Sequence, residues 1–262
     1  MEVLMKLEGV SKHFGGLKAV DNVSFDVKKG EILGLIGPNG SGKSTTINLI
    51  NGVYNLTTGS VSYNDANITK LKPFQRARRG ISRTFQIVKP LKNLTVKENV
   101  MISNMFAGVG DSLIEELKSA IGSKAIKDAS EDTDEVLKKV GLYEKRNLYS
   151  DSLTLPDRKR LEFARALTMK PDLLLLDEVM AGLNNYEIEH IMKLIKEINA
   201  SGVTIVIIEH IMKAIMGVAD RIVVLHHGQL IAEGTPDEIC NNEEVILAYL
   251  GERYKKAKDS PA

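Results

Sequence analysis

Cysteine is nearly absent: Cys240 is the only thiol among 262 residues. That excludes an internal disulfide and a cysteine-based metal cluster, and it suits a reducing interior. An excess of charge is missing as well, with 35 Lys and Arg against 34 Asp and Glu. A net charge of +1 sets up no long-range field toward nucleic acid or an anionic bilayer, so a partner must be recognised locally. Long apolar runs are also lacking. The best, LLLL at 173–176 and VTIVII at 203–208, fall far short of the ~20 residues that cross a bilayer. The opening MEVLMKLEGVSKHF places Glu2, Lys6 and Glu8 where a secretion signal needs an unbroken apolar stretch. There is no internal repeat and no long low-complexity tract. What remains points to a globular cytoplasmic chain, whose 43% hydrophobic residues suffice for a sizeable core.

The first sixty residues alternate β-like runs with turns: VLMKLEGV, AVDNVSFDV and EILGLIG, the last followed by a glycine-rich loop and a helical STTINLI. From about 95 to 145 the spacing turns helical, marking a second lobe. After residue 161 helices alternate with strands: LEFARALTM, DLLLLDE, NYEIEHIMKLIKEIN, VTIVIIE, HIMKAIMGVA and RIVVLHHG. Continuously apolar strands between helices imply an α/β fold with a parallel sheet covered on both faces. Only the tail ERYKKAKDSPA reads as loosely ordered.

Residues 37–44, GPNGSGKS, satisfy the phosphate-loop spacing between a strand and a helix. Small residues let backbone amides wrap an anion at the positive end of the following helix. Lys43 supplies a cation for the terminal phosphates and Ser44 a hydroxyl for Mg²⁺. The apolar run ending in Asp177 and Glu178 supplies what hydrolysis needs besides: Asp177 for the metal shell, Glu178 to orient or deprotonate water. His210, after VTIVIIE, stands where an imidazole can reach a terminal phosphate from a neighbouring strand.

The combination GPNGSGKST, TFQ, LLLLDE and IIEH resembles the ATP-binding subunit of ABC transporters over nearly the whole chain. Within that family FGGLKAVDNVSF, GISRTFQIVKPLKNLTVKENV, DEVMAGLN, IIEHIMKAI and AYLG look most like the branched-chain amino-acid transporter ATPases. The resemblance implies a P-loop NTPase core with an N-terminal antiparallel β subdomain and an inserted helical subdomain. A single domain would span 3–250: core and β subdomain over about 3–86 and 160–250, helical subdomain over about 87–159, with 251–262 as tail. It implies ATP as the ligand of Gly37, Pro38, Asn39, Gly40, Ser41, Gly42, Lys43, Ser44 and Thr45, and Phe14 stacked on the adenine. Lys43, Glu178 and His210 would be catalytic, and Ser44, Gln86 and Asp177 would hold Mg²⁺. The implied partners are a second ABC ATPase subunit, head to tail, transmembrane permease subunits and indirectly a substrate-binding protein, with the chain peripheral on the inner face of the membrane. Arg76, Arg78, Arg79 and Arg83 read as a solvated or permease-facing surface and not a nucleic-acid patch, since no aromatic interleaves them.

One motif departs. Where the family usually has Leu-Ser-Gly-Gly-Gln, facing the partner's ATP, this chain has Leu153, Thr154, Leu155, Pro156 and Asp157. Thr154 keeps a hydroxyl, Pro156 offers no amide hydrogen, Leu155 adds bulk, and Asp157 is expected to add negative charge near the anion. Val179 and Asn184 replace the usual proline and aspartate. Three explanations stay open: a heterodimer with a complete partner, a homodimer with working modified loops, or a subfamily-wide variant. A regulatory subunit that closes on ATP with weak hydrolysis, and a non-transport ABC ATPase, are the alternative functions.

Overall fold

The computed structural model describes residues 2 to 84, 90 to 107 and 123 to 250. Strands β1 (Val3–Phe14) and β2 (Leu17–Lys28) form an antiparallel hairpin, and β1 also pairs with β4 (Thr58–Tyr63), which carries the short β5 (Ala66–Asn67). A second sheet contains β3 (Ile32–Ile36), β6 (Ile81–Arg83), β7 (Leu173–Asp177), β8 (Thr204–Ile208), β9 (Arg221–His226) and β10 (Gln229–Gly234). Its order is β10-β9-β3-β8-β7-β6, parallel except for β10, which returns antiparallel to β9 along one edge.

The unbroken apolar strands follow from burial on both faces. In β7, Leu174 and Leu176 join one core while Leu173 and Leu175 join the other, and β8 divides Ile205 and Ile207 from Val206 and Ile208 in the same way. One face is covered by α1 (Lys43–Ile50), whose Ile47, Leu49 and Ile50 lie in the core shared with the β1–β2–β4 sheet. The other is covered by α5 (Leu155–Leu167), α6 (Asn185–Ala200) and α7 (Met212–Val218). The helical segment contains α3 (Val96–Ala107) and α4 (Ser123–Lys139), and Val96, Val100 and Leu137 share a core with Leu161 and Phe163 of α5. The chain closes its described part with α8 (Pro236–Cys240) and α9 (Glu243–Leu250); α2 (Pro73–Ala77) precedes β6.

Two expectations need correction. The α5 helix begins at Leu155, six residues before the apolar pattern at 161 suggests, because Pro156 sits in the first turn. There the missing amide has no intrahelical acceptor to lose, and the fixed φ suits the helix. The arginine run is not one surface either. Arg78 and Arg79 are exposed, but Arg76 is 1% exposed. Its guanidinium donates to the carbonyls of Leu49 (2.7 Å) and Ile50 (2.6 Å) at the end of α1, and to Leu71 (3.1 Å) and Thr69 (3.0 Å). A cation there meets the negative end of the helix and satisfies carbonyls that the helix leaves unpaired. Burial lowers the Arg76 pKa to about 10, so it still carries its charge at neutral pH. The Arg83 side chain is also largely withdrawn from solvent, 10% exposed, in the site described next.

Candidate functional site

The loop between β3 and α1 is shaped by two glycines in backbone regions that L side chains rarely adopt. Gly37 has φ +149°, and a Cβ there would lie 2.0 Å from the Leu225 carbonyl oxygen; Gly42 has φ +106°, with a Cβ 2.5 Å from the Ala19 carbonyl. Neither tolerates a side chain without moving backbone. Gly42 leads into Lys43, the first residue of α1, so the loop's amides and the helix start face one cleft. That cleft, of about 530 Å³, is lined by residues 40 to 45 together with Phe14, Leu17, Lys18, Ala19 and His227. The Lys43 ammonium, 5% exposed, folds back onto the carbonyls of Gly37 (2.8 Å) and Pro38 (3.0 Å). Burial lowers its pKa, while Glu178 and Asp177 act to raise it, so these three charges sense one another. Ser44 is exposed in the same cleft.

Phe14, from the end of β1, stands 44% exposed at this mouth, edge-on to Tyr54 at 5.3 Å, with the Lys12 ammonium 5.0 Å from its ring centre. An open aromatic face beside a phosphate loop suits a planar base. The structure therefore brings Phe14 and residues 37–45 to one place.

At the C-terminal end of β7, Asp177 is 3% exposed and Glu178 follows with φ +50°, uncommon for a residue with a side chain. The turn is held by the Glu178 amide donating to Ile208 (2.9 Å) and by Lys159 of α5 donating to the Glu178 carbonyl (3.3 Å). His210 Nε2 lies 2.8 Å from Glu178 Oε1. Because a carboxylate only accepts, that nitrogen carries the proton, and the imidazole orients the acid. Asp177 Oδ2 accepts from Arg83 at 2.7 Å, whereas Oδ1 is buried and has no hydrogen-bond partner among the described residues. A buried anionic oxygen without a partner among the described residues is the kind of donor that suits a hard cation such as Mg²⁺, which takes oxygen ligands and keeps much of its water. No cluster of three or more His, Cys, Asp or Glu able to hold a metal alone occurs among the described residues, so the rest of such a shell would come from phosphate and water. Gln86 lies outside the described residues.

Three contributors were invisible in the sequence. Gly228, in the β9–β10 turn, donates its amide to the Ser41 carbonyl (3.0 Å) and bolts that hairpin to the phosphate loop. Arg83 pairs with Asp177. Glu209, 3% exposed, accepts from the Met180 amide at 2.7 Å and ties the His210 strand end to the turn after Glu178. Desolvation by burial raises the Glu209 pKa to about 7, against the lowering effect of the Met180 amide. Its folded pKa lies above the ordinary 4.5, so the stability linked to its protonation is full below about pH 4.5 and lost as pH rises through about 7. Glu209→Gln is therefore expected to flatten the fall in melting temperature between about pH 5 and 8, a change of up to ~3 kcal/mol readable by calorimetry. An unaltered pH slope would contradict the assignment.

The modified loop at 153–157 corrects a further expectation. Asp157 presents no free charge: it is 6% exposed, takes the Thr154 hydroxyl at 2.8 Å, and is ion-paired with Lys145. Thr154 stands at the N-cap position of α5 with its hydroxyl given to Asp157 and not to a helix amide, Leu155 is 44% exposed, and a Cβ on Gly182 would touch Leu155 Cδ2 at 3.2 Å. The loop thus keeps a hydroxyl and a neutralised helix start, with a leucine packed beside the turn after β7. Asn184 caps α6, its side chain accepting from the Glu187 amide at 3.0 Å while Glu187 takes the Asn184 amide at 2.8 Å. Val179 is buried.

Known proteins agree with this geometry. The ABC transporter family pattern matches residues 20–181, and a branched-chain amino acid ATP-binding cassette transporter pattern matches 229–255. The high-affinity branched-chain amino acid transport ATP-binding protein LivG of Salmonella typhimurium is 40% identical over 257 residues, covering 95% of this chain and 98% of that protein. The crystal structure of the ADP conformation of MJ1267, an ATP-binding cassette of an ABC transporter, superposes with a TM-score of 0.85 at 32% identity, over 96% of this chain and all of that one. The dimeric structure of MJ0796, a bacterial ABC transporter cassette, follows with a TM-score of 0.76 at 27% identity, over 89% and 99% of the two chains. With a phosphate loop whose lysine senses the acids at a neighbouring strand end, and with these matches over nearly its whole length, the chain belongs to the ABC transporter family, as an ATP-binding cassette.

Proposed function

We propose that this cassette hydrolyses ATP with Mg²⁺ and thereby drives an importer of branched-chain amino acids. The observation that carries the catalytic part is the Glu178–His210 contact of 2.8 Å, beside Asp177 and within electrostatic reach of Lys43. In this reading residues 37–45 cradle the phosphates, Phe14 stacks on the base, Lys43 leaves its loop carbonyls for the terminal phosphates, and Glu178 takes the proton of the attacking water. Asp177 and Ser44, with Gln86, would hold Mg²⁺, which when bound would supply positive charge against the phosphates. His210 keeps Glu178 turned toward the water.

The amino-acid cargo is supported by LivG and by the match at 229–255. Pairing of two cassettes is supported by the dimeric MJ0796 cassette; in this reading Thr154 and the start of α5 face the partner's nucleotide. No helix among the described residues is long and apolar enough to cross a membrane; in this reading the chain meets the bilayer through permease subunits on its inner face. The test is ATP-driven uptake of labelled leucine by vesicles carrying this chain with its permease subunits and binding protein. Uptake that disappears with Glu178→Gln is the expected result; ATP hydrolysis that no branched-chain amino acid stimulates would reject the cargo. A weakly hydrolysing regulatory subunit is the second reading, favoured by Leu155 and Pro156 at the phosphate-facing loop.

A further inference from the structure

Asp177 is held in a way that the hydrolysis scheme does not require. Arg83 ends β6, in register with Leu175 of β7, so its side chain reaches along the strand to the acid at the neighbouring strand's end. Arg83 Nη2 donates to Asp177 Oδ2 at 2.7 Å, and Nη1 donates to Asn48 Oδ1 of α1 at 2.6 Å. The side chains of Arg83 and Asp177 are 10% and 4% exposed, so the pair sits away from solvent screening. One guanidinium thus joins three parts: the helix after the phosphate loop, the acidic strand end, and the strand that runs toward residue 86. It occupies one carboxylate oxygen and leaves the other, Oδ1, buried without a partner among the described residues.

The electrostatic consequence has a definite sign. A divalent ion approaching Asp177 without nucleotide meets a carboxylate already half used and a fixed positive charge beside it. It would also have to give up water that Mg²⁺ surrenders reluctantly. An ion arriving on the phosphates of ATP brings its own anionic ligands, and needs from the protein little more than Oδ1 and a hydroxyl. We propose that Arg83 is the resident counter-cation of Asp177, which keeps free divalent metal out of the nucleotide-free site and reserves Oδ1 for the metal that comes with ATP. Arg83 is in these terms a positioning residue that acts through Asp177. The proposal rests on Asp177 being the metal carboxylate of the proposed function.

Removing the arginine strands a buried carboxylate, and a strained anion of that kind is relieved by binding a cation. The full-length chain is compared with Arg83→Met, Arg83→Lys, Asp177→Asn and the double variant Arg83→Met/Asp177→Asn. Without nucleotide, Mn²⁺ binding is read by electron paramagnetic resonance, and the melting temperature is read in chelator and in millimolar Mg²⁺. Arg83→Met is expected to bind free Mn²⁺ at least about tenfold more tightly than the native chain, and to melt several degrees lower in chelator, with most of that loss restored by Mg²⁺. Arg83→Lys, which keeps the charge, should bind free Mn²⁺ as weakly as the native chain, and the double variant should show no metal-dependent recovery. Should Arg83→Met fail to fold, Arg83→Gln carries the same expectation. Unchanged Mn²⁺ affinity with a melting loss that Mg²⁺ does not repair would overturn the proposal, leaving Arg83 a packing residue. The Asp177→Asn chain separates this from failure of the site itself. If it binds Mn²⁺ with a non-hydrolysable ATP analogue as well as the native chain does, Asp177 is not the metal carboxylate and both readings fall. If it loses that binding while Arg83→Met gains none, only the counter-cation role falls.

Discussion

Glu178→Gln is expected to lower ATP turnover by about 10²–10⁴-fold while leaving nucleotide binding intact, the range lost when a positioned general base is removed. The amide matches the carboxylate in size and can still accept from His210 Nε2, so the 2.8 Å contact and the turn built on the Glu178 backbone persist. What it cannot do is take a proton from water. Binding should hold or tighten, because one negative charge leaves a cleft meant for an anion whose other charges include Asp177. Steady-state phosphate release and equilibrium ATP binding on the same preparation check both halves. Turnover within about threefold of the native chain would move the base elsewhere.

The largest expected effect on stability is Arg76→Met, a loss of about 3–5 kcal/mol and a fall in melting temperature of about 10 °C. The methionine fills part of the volume but strands the carbonyls of Ile50, Leu71 and Thr69, and leaves that of Leu49 only the Gly52 amide at 3.2 Å, since an apolar side chain offers no donor. Two of those carbonyls end α1, so the damage reaches the helix that presents Lys43 and Ser44 to phosphate. Differential scanning calorimetry measures it. A loss under about 1 kcal/mol would mean that water replaces the guanidinium and that Arg76 does not anchor the helix.

These two residues show where sequence reading succeeds and where it stops. The place of Asp177 and Glu178 at the end of a buried strand was legible because the two acids cut short an unbroken apolar run. The phosphate loop was legible as well: its spacing falls between a strand and a helix, and only small residues fit the backbone at Gly37 and Gly42. Arg76 and Arg83 carry no such signal. Their acceptors lie far along the chain, at Leu49 and at Asp177, and a cluster of arginines with no periodic apolar residues reads as a solvated face. Glu209 was hidden similarly, since its partner amide is on Met180.

The start of α5 was misplaced for a different reason: the apolar pattern that marks the helix begins only at Leu161, while Pro156 sits at ease in the first turn ahead of it. The structure also changes the meaning of Asp157. Tied to Thr154 and Lys145, it is a neutralised structural acid instead of a charge aimed at the partner's phosphates.

The central claim is that one ATP binds each chain in the cleft of residues 37–45 and is hydrolysed through Glu178. Calorimetric titration of Glu178→Gln with ATP and Mg²⁺, with phosphate release followed in the same cell, tests it most directly. The account predicts binding of one ATP per chain with turnover at about 1% of the native rate or less. Absence of binding, or release of phosphate at the native rate, would contradict it.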